Sequence, residues 1–158
     1  MKRKDIISLS VDISNYGERV IDNLIKAQSN TAYVVQQDAK YLAPKDTGKY
    51  RQSIKLGETT YDGSQIRTSV YTDATVSSYA GKTYNLGRLL EEGTSPHEIR
   101  AVKKRALFWG GYDDEGNPII VTKVLHPGMI AQPHMIPALQ RNVALYKTNI
   151  GKALKEAK

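Results

Sequence analysis

Cysteine is missing altogether from the 158 residues. That removes disulfides, thiolate-based zinc sites and thiol chemistry. Long apolar runs are missing too: no stretch approaches the roughly 18 residues that a membrane span needs. The opening Met-Lys-Arg-Lys-Asp is basic, but Ile6 to Ile13 alternates apolar and polar residues, so no export signal is expected. Phenylalanine and tryptophan occur once each, against ten tyrosines. Tyrosine has an apolar body and a polar tip, which suits surfaces buried on assembly.

The signatures of common catalysts are also lacking. No Gly-x-Ser-x-Gly or dinucleotide fingerprint occurs. Gly81-Lys82-Thr83 ends like a phosphate-binding loop, but Val76 stands where its first glycine belongs. His97, His126 and His134 match no metal-binding spacing, although His126 and His134 flank a Pro127-Gly128 turn and could face each other. Glu91-Glu92 is an adjacent pair, but neighbours on a helix point about 100° apart, so they read as a helix end with one carboxylate in an ion pair. Asp113, Asp114 and Glu115 lack the rest of a calcium-loop pattern. No enzyme, metal or cofactor is expected.

What is present is a basic chain of one domain's length, 1–158, with a net charge of +7. Its densest cationic clusters, Lys2, Arg3, Lys4 and Arg100, Lys103, Lys104, Arg105, read first as solvated faces and second as nucleic-acid contacts. Ile7, Leu9, Val11 and Ile13 alternate as a half-buried strand. Ser14 or Asn15 is the expected cap of a long helix with Glu18 in its first turn. Its apolar stripe is Val20, Ile21, Leu24, Ile25, Ala32, Val35, Ala39 and Leu42, and Pro44 ends it.

A helical turn is expected at Lys49 to Gln52, then strands at 53–60 and 65–71 about an Asp62-Gly63 hairpin turn. Residues 73–83 read as a loop, and Tyr84 to Glu92 as a short helix stopped by Gly93. His97 to Ala101 reads as extended. Ala106 to Trp109 and Ile119 to Val124 read as a hairpin tipped by residues 113–117. A final helix begins near Pro133 and Pro137, with Ile136, Leu139, Val143, Tyr146, Ile150 and Leu154 on its apolar side. The fold class is α+β, two long helices packed on a small, mostly antiparallel sheet.

The segment Ala39 to Ile54 contains Ala43-Pro44, the Asp46-Thr47-Gly48 turn, Arg51 and Ser53-Ile54. It resembles a signature of phage minor tail proteins of the head–tail neck, the tail-completion or tail-component type. Two further elements follow in that family's order: Leu90-Glu91-Glu92-Gly93-Thr94, and Pro133-His134-Met135-Ile136-Pro137-Ala138-Leu139 ahead of a C-terminal helix. Glu92 and His134 depart from the family, which has aromatic residues there. If those aromatics pack together, this chain must close that spot differently.

The landmarks also have physical readings. Gly48 supplies positive φ in a turn, Asp46 or Thr47 bonds nearby N–H groups, Thr94 starts a strand, and Pro137 and Ala138 open a closely packed helix.

The resemblance implies a structural virion protein, made in the host cytoplasm. It would assemble as a hexameric or dodecameric ring around the DNA channel, against neighbouring neck, connector and tail-tube proteins. DNA would pass through the lumen without specific binding, and no membrane is involved. Candidate contacts are residues 73–83 and 100–128, with Tyr79, Tyr84, Trp109 and Tyr112 as anchors. A basic nucleic-acid-binding protein unrelated to virions is the second reading. A hydrolase with a site around Glu91, Glu92 and His97 is the third.

Overall fold

The computed structural model describes residues 5–12, 17–78, 81–101 and 106–156, with backbone alone at positions 5, 6, 12 and 108–110. The alternating start forms strand β1 (Asp5–Asp12), and Ile7, Leu9 and Val11 join the hydrophobic clusters of the body. Helix α1 (Glu18–Leu42) follows. Its N-cap is Gly17, with no side-chain bond, which corrects the expected capping by Ser14 or Asn15. Those two residues lie outside the described segments. At the other end Pro44 holds Ala43 in extended angles (φ -61°, ψ 150°), and the helix stops at Leu42 as expected.

Gly48, at φ 76°, turns the chain into α2 (Lys49–Ser53). Next come β2 (Ile54–Leu56), β3 (Thr60–Tyr61) and β4 (Gln65–Thr72). The single strand expected over 53–60 is therefore split in two, and both pieces pair antiparallel with β4. Between them the Gly57 N–H bonds Ser69 O at 2.7 Å. Thr59 then meets Thr68 hydroxyl to hydroxyl at 2.8 Å, a side-chain contact where a ladder bond would stand. The central strand β4 is flanked by β1 on its other side, in a register that sets Leu9 against Thr68 and Val11 against Ile66. Ile66, Thr68, Val70 and Thr72 all turn inward beneath α1.

The loop expected over 73–83 contains a small hairpin, β5 (Thr75–Ser77) and β6 (Thr83–Asn85). Tyr84 belongs to β6, and α3 (Leu86–Glu92) starts later than expected because the Asn85 side chain accepts the Arg88 N–H and caps it.

Beyond Gly93 the chain leaves the body as β7 (His97–Arg100), β8 (Leu107–Tyr112), β9 (Pro118–Val121) and β10 (Lys123–His126). One strand was expected from Ile119 to Val124; instead it divides at Thr122. β9 pairs with β8, while β10 pairs with β7. An Ala101 N–H to Thr122 O bond of 3.3 Å joins the two pairs. The two pairs follow one another as an arm with its base at His97 and His126 and its tip at residues 113–117; residues 102–105 between β7 and β8 lie outside the described ones. Thr122 is a bend, so β9 and β10 are separate four-residue strands of about 13 Å each.

Helix α4 (Met135–Lys155) returns along α1. Asn142 donates to Asp38 (2.6 Å), Asn149 to Thr31 (2.9 Å) and Tyr146 to Gln28 (3.3 Å), so the helices run antiparallel. These polar contacts also correct the expected apolar face. Met135, Ala138, Asn142 and Ala153 are buried, whereas Ile136 and Val143 are exposed. Gln28 bonds Leu9 O and Ile66 O, and Gln36 bonds Ile54 O, pinning α1 to the sheet. The architecture is α+β, with two long helices over a small antiparallel sheet. Among the described residues no helix is long and apolar enough to cross a membrane.

Candidate functional site

The three landmark segments, far apart in sequence, meet in one polar node. From the first, Arg51 reaches back to the frayed carbonyls of α1, bonding Ala43 O (3.0 and 2.8 Å) and Tyr41 O (2.9 Å). A guanidinium there satisfies orphan acceptors and opposes the negative end of the helix dipole. The Ser53 hydroxyl bonds Tyr50 O (2.6 Å) and meets the Thr72 hydroxyl (2.7 Å). Ala43 is buried, Pro44 half-buried and Asp46 exposed. Of the turn pair, Thr47 makes the bond to backbone: its hydroxyl accepts from the Lys49 N–H at 3.5 Å.

From the second segment, Glu91 turns its carboxylate onto the start of α4. One oxygen accepts from the His134 and Met135 N–H groups (2.9 and 3.0 Å), the other from Ile136 N–H (3.0 Å). Three orphan donors of α4 are thus capped by a residue from α3. Gly93 follows at φ 72°; a Cβ there would lie 2.6 Å from Met129 O and 2.8 Å from Ala131 N, so only glycine fits. Thr94 forms a reciprocal bridge with Met129 (2.9 and 3.1 Å) instead of beginning a strand.

The third segment supplies His134, which is fully buried. Its Nδ1 lies 2.9 Å from Gln132 O, an acceptor only, so that nitrogen carries the hydrogen. Nε2 then accepts from the Tyr50 hydroxyl at 2.6 Å, with the rings edge to face. Pro133 is exposed, Pro137 sits in the first turn of α4, Ala138 is buried against α1 and Leu139 is half-buried. The two departures from the family pattern do not pack together. Glu92 is exposed and pairs with Arg88 at 2.9 Å, while the interior spot is closed by His134 and Tyr50.

Nothing in the spacing of the sequence pairs Tyr50 with His134, or Glu91 with the N-terminus of α4. Both links bridge more than forty positions and depend on the whole body being folded.

His126 does not face His134. It stacks on His97, across the base of the ribbon, with ring centroids 5.0 Å apart. Its Nδ1 accepts the Gly128 N–H at 3.0 Å, and His97 Nδ1 lies 3.0 Å from Ser95 O. Glu91, Glu92 and His97, the residues of the hydrolase reading, thus each have separate partners. Among the described residues no three metal-ligating side chains converge.

The ribbon differs in kind from the node. β8 and β9 pack chiefly on each other, as do β7 and β10. Ile119, Ile120, Leu125 and Tyr112 are exposed along it, and Ile130 just beyond it is 88% exposed. Tyr84 is likewise exposed. Of the remaining interface candidates, Tyr79 and the side chain of Trp109 lie outside what the structure describes.

The arm's charges are organised locally. Arg100, then Lys123, hold the Glu98 carboxyl below the usual range. At the tip, Asp113 is lowered chiefly by the Asn117 N–H, with Glu115 N–H adding to it. In the body, Lys55 is raised by its bond to Asp73, and partial burial raises the Tyr146 phenol.

Compared with known protein families, curated proteins and solved structures, the chain matches none.

Proposed function

We propose that this chain is a structural protein of a tailed-phage virion, assembling as a ring around the DNA channel at the head–tail junction. The observation that carries the reading is the ribbon arm. It presents Ile119, Ile120 and Leu125 to solvent and packs chiefly on itself. An isolated two-stranded ribbon is marginally stable in water, so such an arm is best explained by another molecule that covers it. The family resemblance supplies the setting. Its three segments are spent on capping two helices and filling one buried spot, roles suited to a subunit that must hold its shape.

Light scattering on the purified protein tests the reading, and a ring-sized particle is the expected result. Removing Asp113 to Gly116 should leave the monomer folded and impair assembly. Virions of normal yield and shape from that deletion would overturn the assignment of the arm.

One feature favours the second reading, a nucleic-acid-binding protein outside virions. α4 carries Arg141, Lys147, Lys152 and Lys155 and no acidic residue. At 100° per residue, Arg141, Lys152 and Lys155 fall within about 60° of each other. That reading requires submicromolar DNA affinity falling steeply with salt. A lumen that lets DNA slide requires weak binding at physiological salt.

A further inference from the structure

The chain carries two charged surfaces that hold no oppositely charged partner among the described residues for Lys26, Lys152, Asp114 or Glu115. The first lies between α1 and α4, where Asn23, Lys26, Asn30, Asn149, Lys152 and one acid, Glu156, line a groove of about 240 Å³. Among the described residues neither lysine pairs with a carboxylate. The groove is smaller than the roughly 300–1,000 Å³ of small-molecule sites, a size suited to side chains from a loop tip. The second surface is the ribbon tip, Asp113-Asp114-Glu115-Gly116-Asn117, with three acids and no base on a chain of net charge +7. Asp113 is occupied by the N–H groups of Glu115 and Asn117. Asp114 is in no ion pair among the described residues, and Glu115 contacts only the Asn117 amide, at 3.5 Å.

We propose that the acidic ribbon tip of one copy docks in the Lys26–Lys152 groove of the next. The inference rests on the ring reading and names its contact. Charge complementarity selects the occupant: Asp114 and Glu115 meet Lys26 and Lys152, and the amides of Asn23 and Asn30 offer further donors. The contact is head-to-tail, so repetition closes a ring when the rotation per copy allows. The apolar flanks of the arm, Ile119 and Ile120, would be covered on the way.

Two charge-reversal variants test it: Lys26→Glu with Lys152→Glu, and Asp114→Lys with Glu115→Lys. All four positions are at the surface, and circular dichroism should find both variants folded. Each alone should associate about 100-fold more weakly than the native chain, because like charges now face each other. An equimolar mixture should assemble again, since each variant's tip matches the other's groove; the quadruple variant should assemble by itself.

Variants that form rings like the native protein would overturn the contact and leave the ring reading standing. A native chain that stays monomeric yet binds tail or neck proteins would overturn the contact and leave only the virion assignment standing. A native chain that neither self-associates nor binds such proteins removes both. If the lysine reversal abolishes DNA binding without changing the particle mass, the groove faces nucleic acid and the proposal fails.

Discussion

The body and the arm solve the same problem in opposite ways. In the body, polar groups are buried and answered. Gln28, Thr31, Gln36, Thr68, Thr72, His134 and Asn142 are nearly or wholly inaccessible, and hydrogen bonds to backbone or neighbouring side chains hold them in place. In the arm, Tyr112, Ile119, Ile120 and Leu125 are exposed. A buried polar group is tolerable only with its partner present, so the body must be complete before it is stable. A ribbon of exposed isoleucine and leucine gains little until something covers it. The comparison teaches that stability and assembly are assigned to different segments of one short chain, and substitutions should separate them.

The largest effect is expected at Glu91. Replacement by alanine leaves the first three N–H groups of α4 without their acceptor and should cost about 3 kcal/mol. For a chain of this size that is about 6–12 °C in Tm, read by thermal unfolding. A Tm within a degree or two of the native value would mean that water caps α4 equally well, and the contrast between a fully answered body and an open arm would weaken.

The Tyr50–His134 pair comes next. Tyr50→Phe leaves the buried Nε2 of His134 without its donor and should cost about 1–3 kcal/mol; His134→Phe also takes the Nδ1–H from Gln132 O and should cost at least as much. The double replacement puts two apolar rings in the same space and should cost less than the sum of the two. A double-mutant cycle on urea unfolding measures the coupling. Simple additivity would show that the bond, though 2.6 Å long, does not hold the node together.

Much of this body is legible from residue order, because its helices and inner strand follow simple rules. The α1 stripe, its end at Pro44, the Gly93 stop and the period of β4 all have local causes. What stays hidden is whatever depends on a distant partner. Hydrophobic period places Ile136 and Val143 inside, yet both are exposed, since Asn142 and Asn149 take the interface by bonding Asp38 and Thr31. Polar residues in a core carry no periodic signal. Nor does Glu91, whose acceptors serve a helix more than forty positions later. The ribbon is legible in its tip but not in its pairing, because the split at Thr122 reflects which strand lies opposite, not which residues form it. The same limit applies to the candidate site. The landmark segments are visible, while their meeting in one node requires the fold.

In the arm the expectation reverses. Ile120→Asp and Leu125→Ser remove exposed apolar groups, 62% and 74% accessible, and should move stability by no more than about 0.5 kcal/mol. Sedimentation or light scattering should nevertheless register weaker assembly. If Tm falls as far as it does for Glu91→Ala, the arm is part of the folding unit and the division between the two regions is wrong.

The smallest expected effect concerns a device that both regions share. Asp62 in the body accepts N–H bonds from Gln65 (2.8 Å) and Ser64 (3.0 Å), and its pKa is lowered chiefly by them. Asp113 in the arm accepts from Asn117 (2.8 Å) and Glu115 (3.0 Å), and its pKa is lowered in the same way. Each folded-state pKa lies below the unfolded one. The turn's added stability is therefore present above the unfolded value, near ~3.9, and is lost as pH falls through the folded value. Amide exchange at Ser64, Gln65, Glu115 and Asn117 should speed up together on acidification. Because both carboxylates stand at the surface, global stability should hardly register the change. Were the arm's turn to open at distinctly higher pH than the body's, the two aspartates would not be equivalent caps. The ribbon would then loosen before the body does, and the contrast between the regions would extend from apolar burial to the turns themselves.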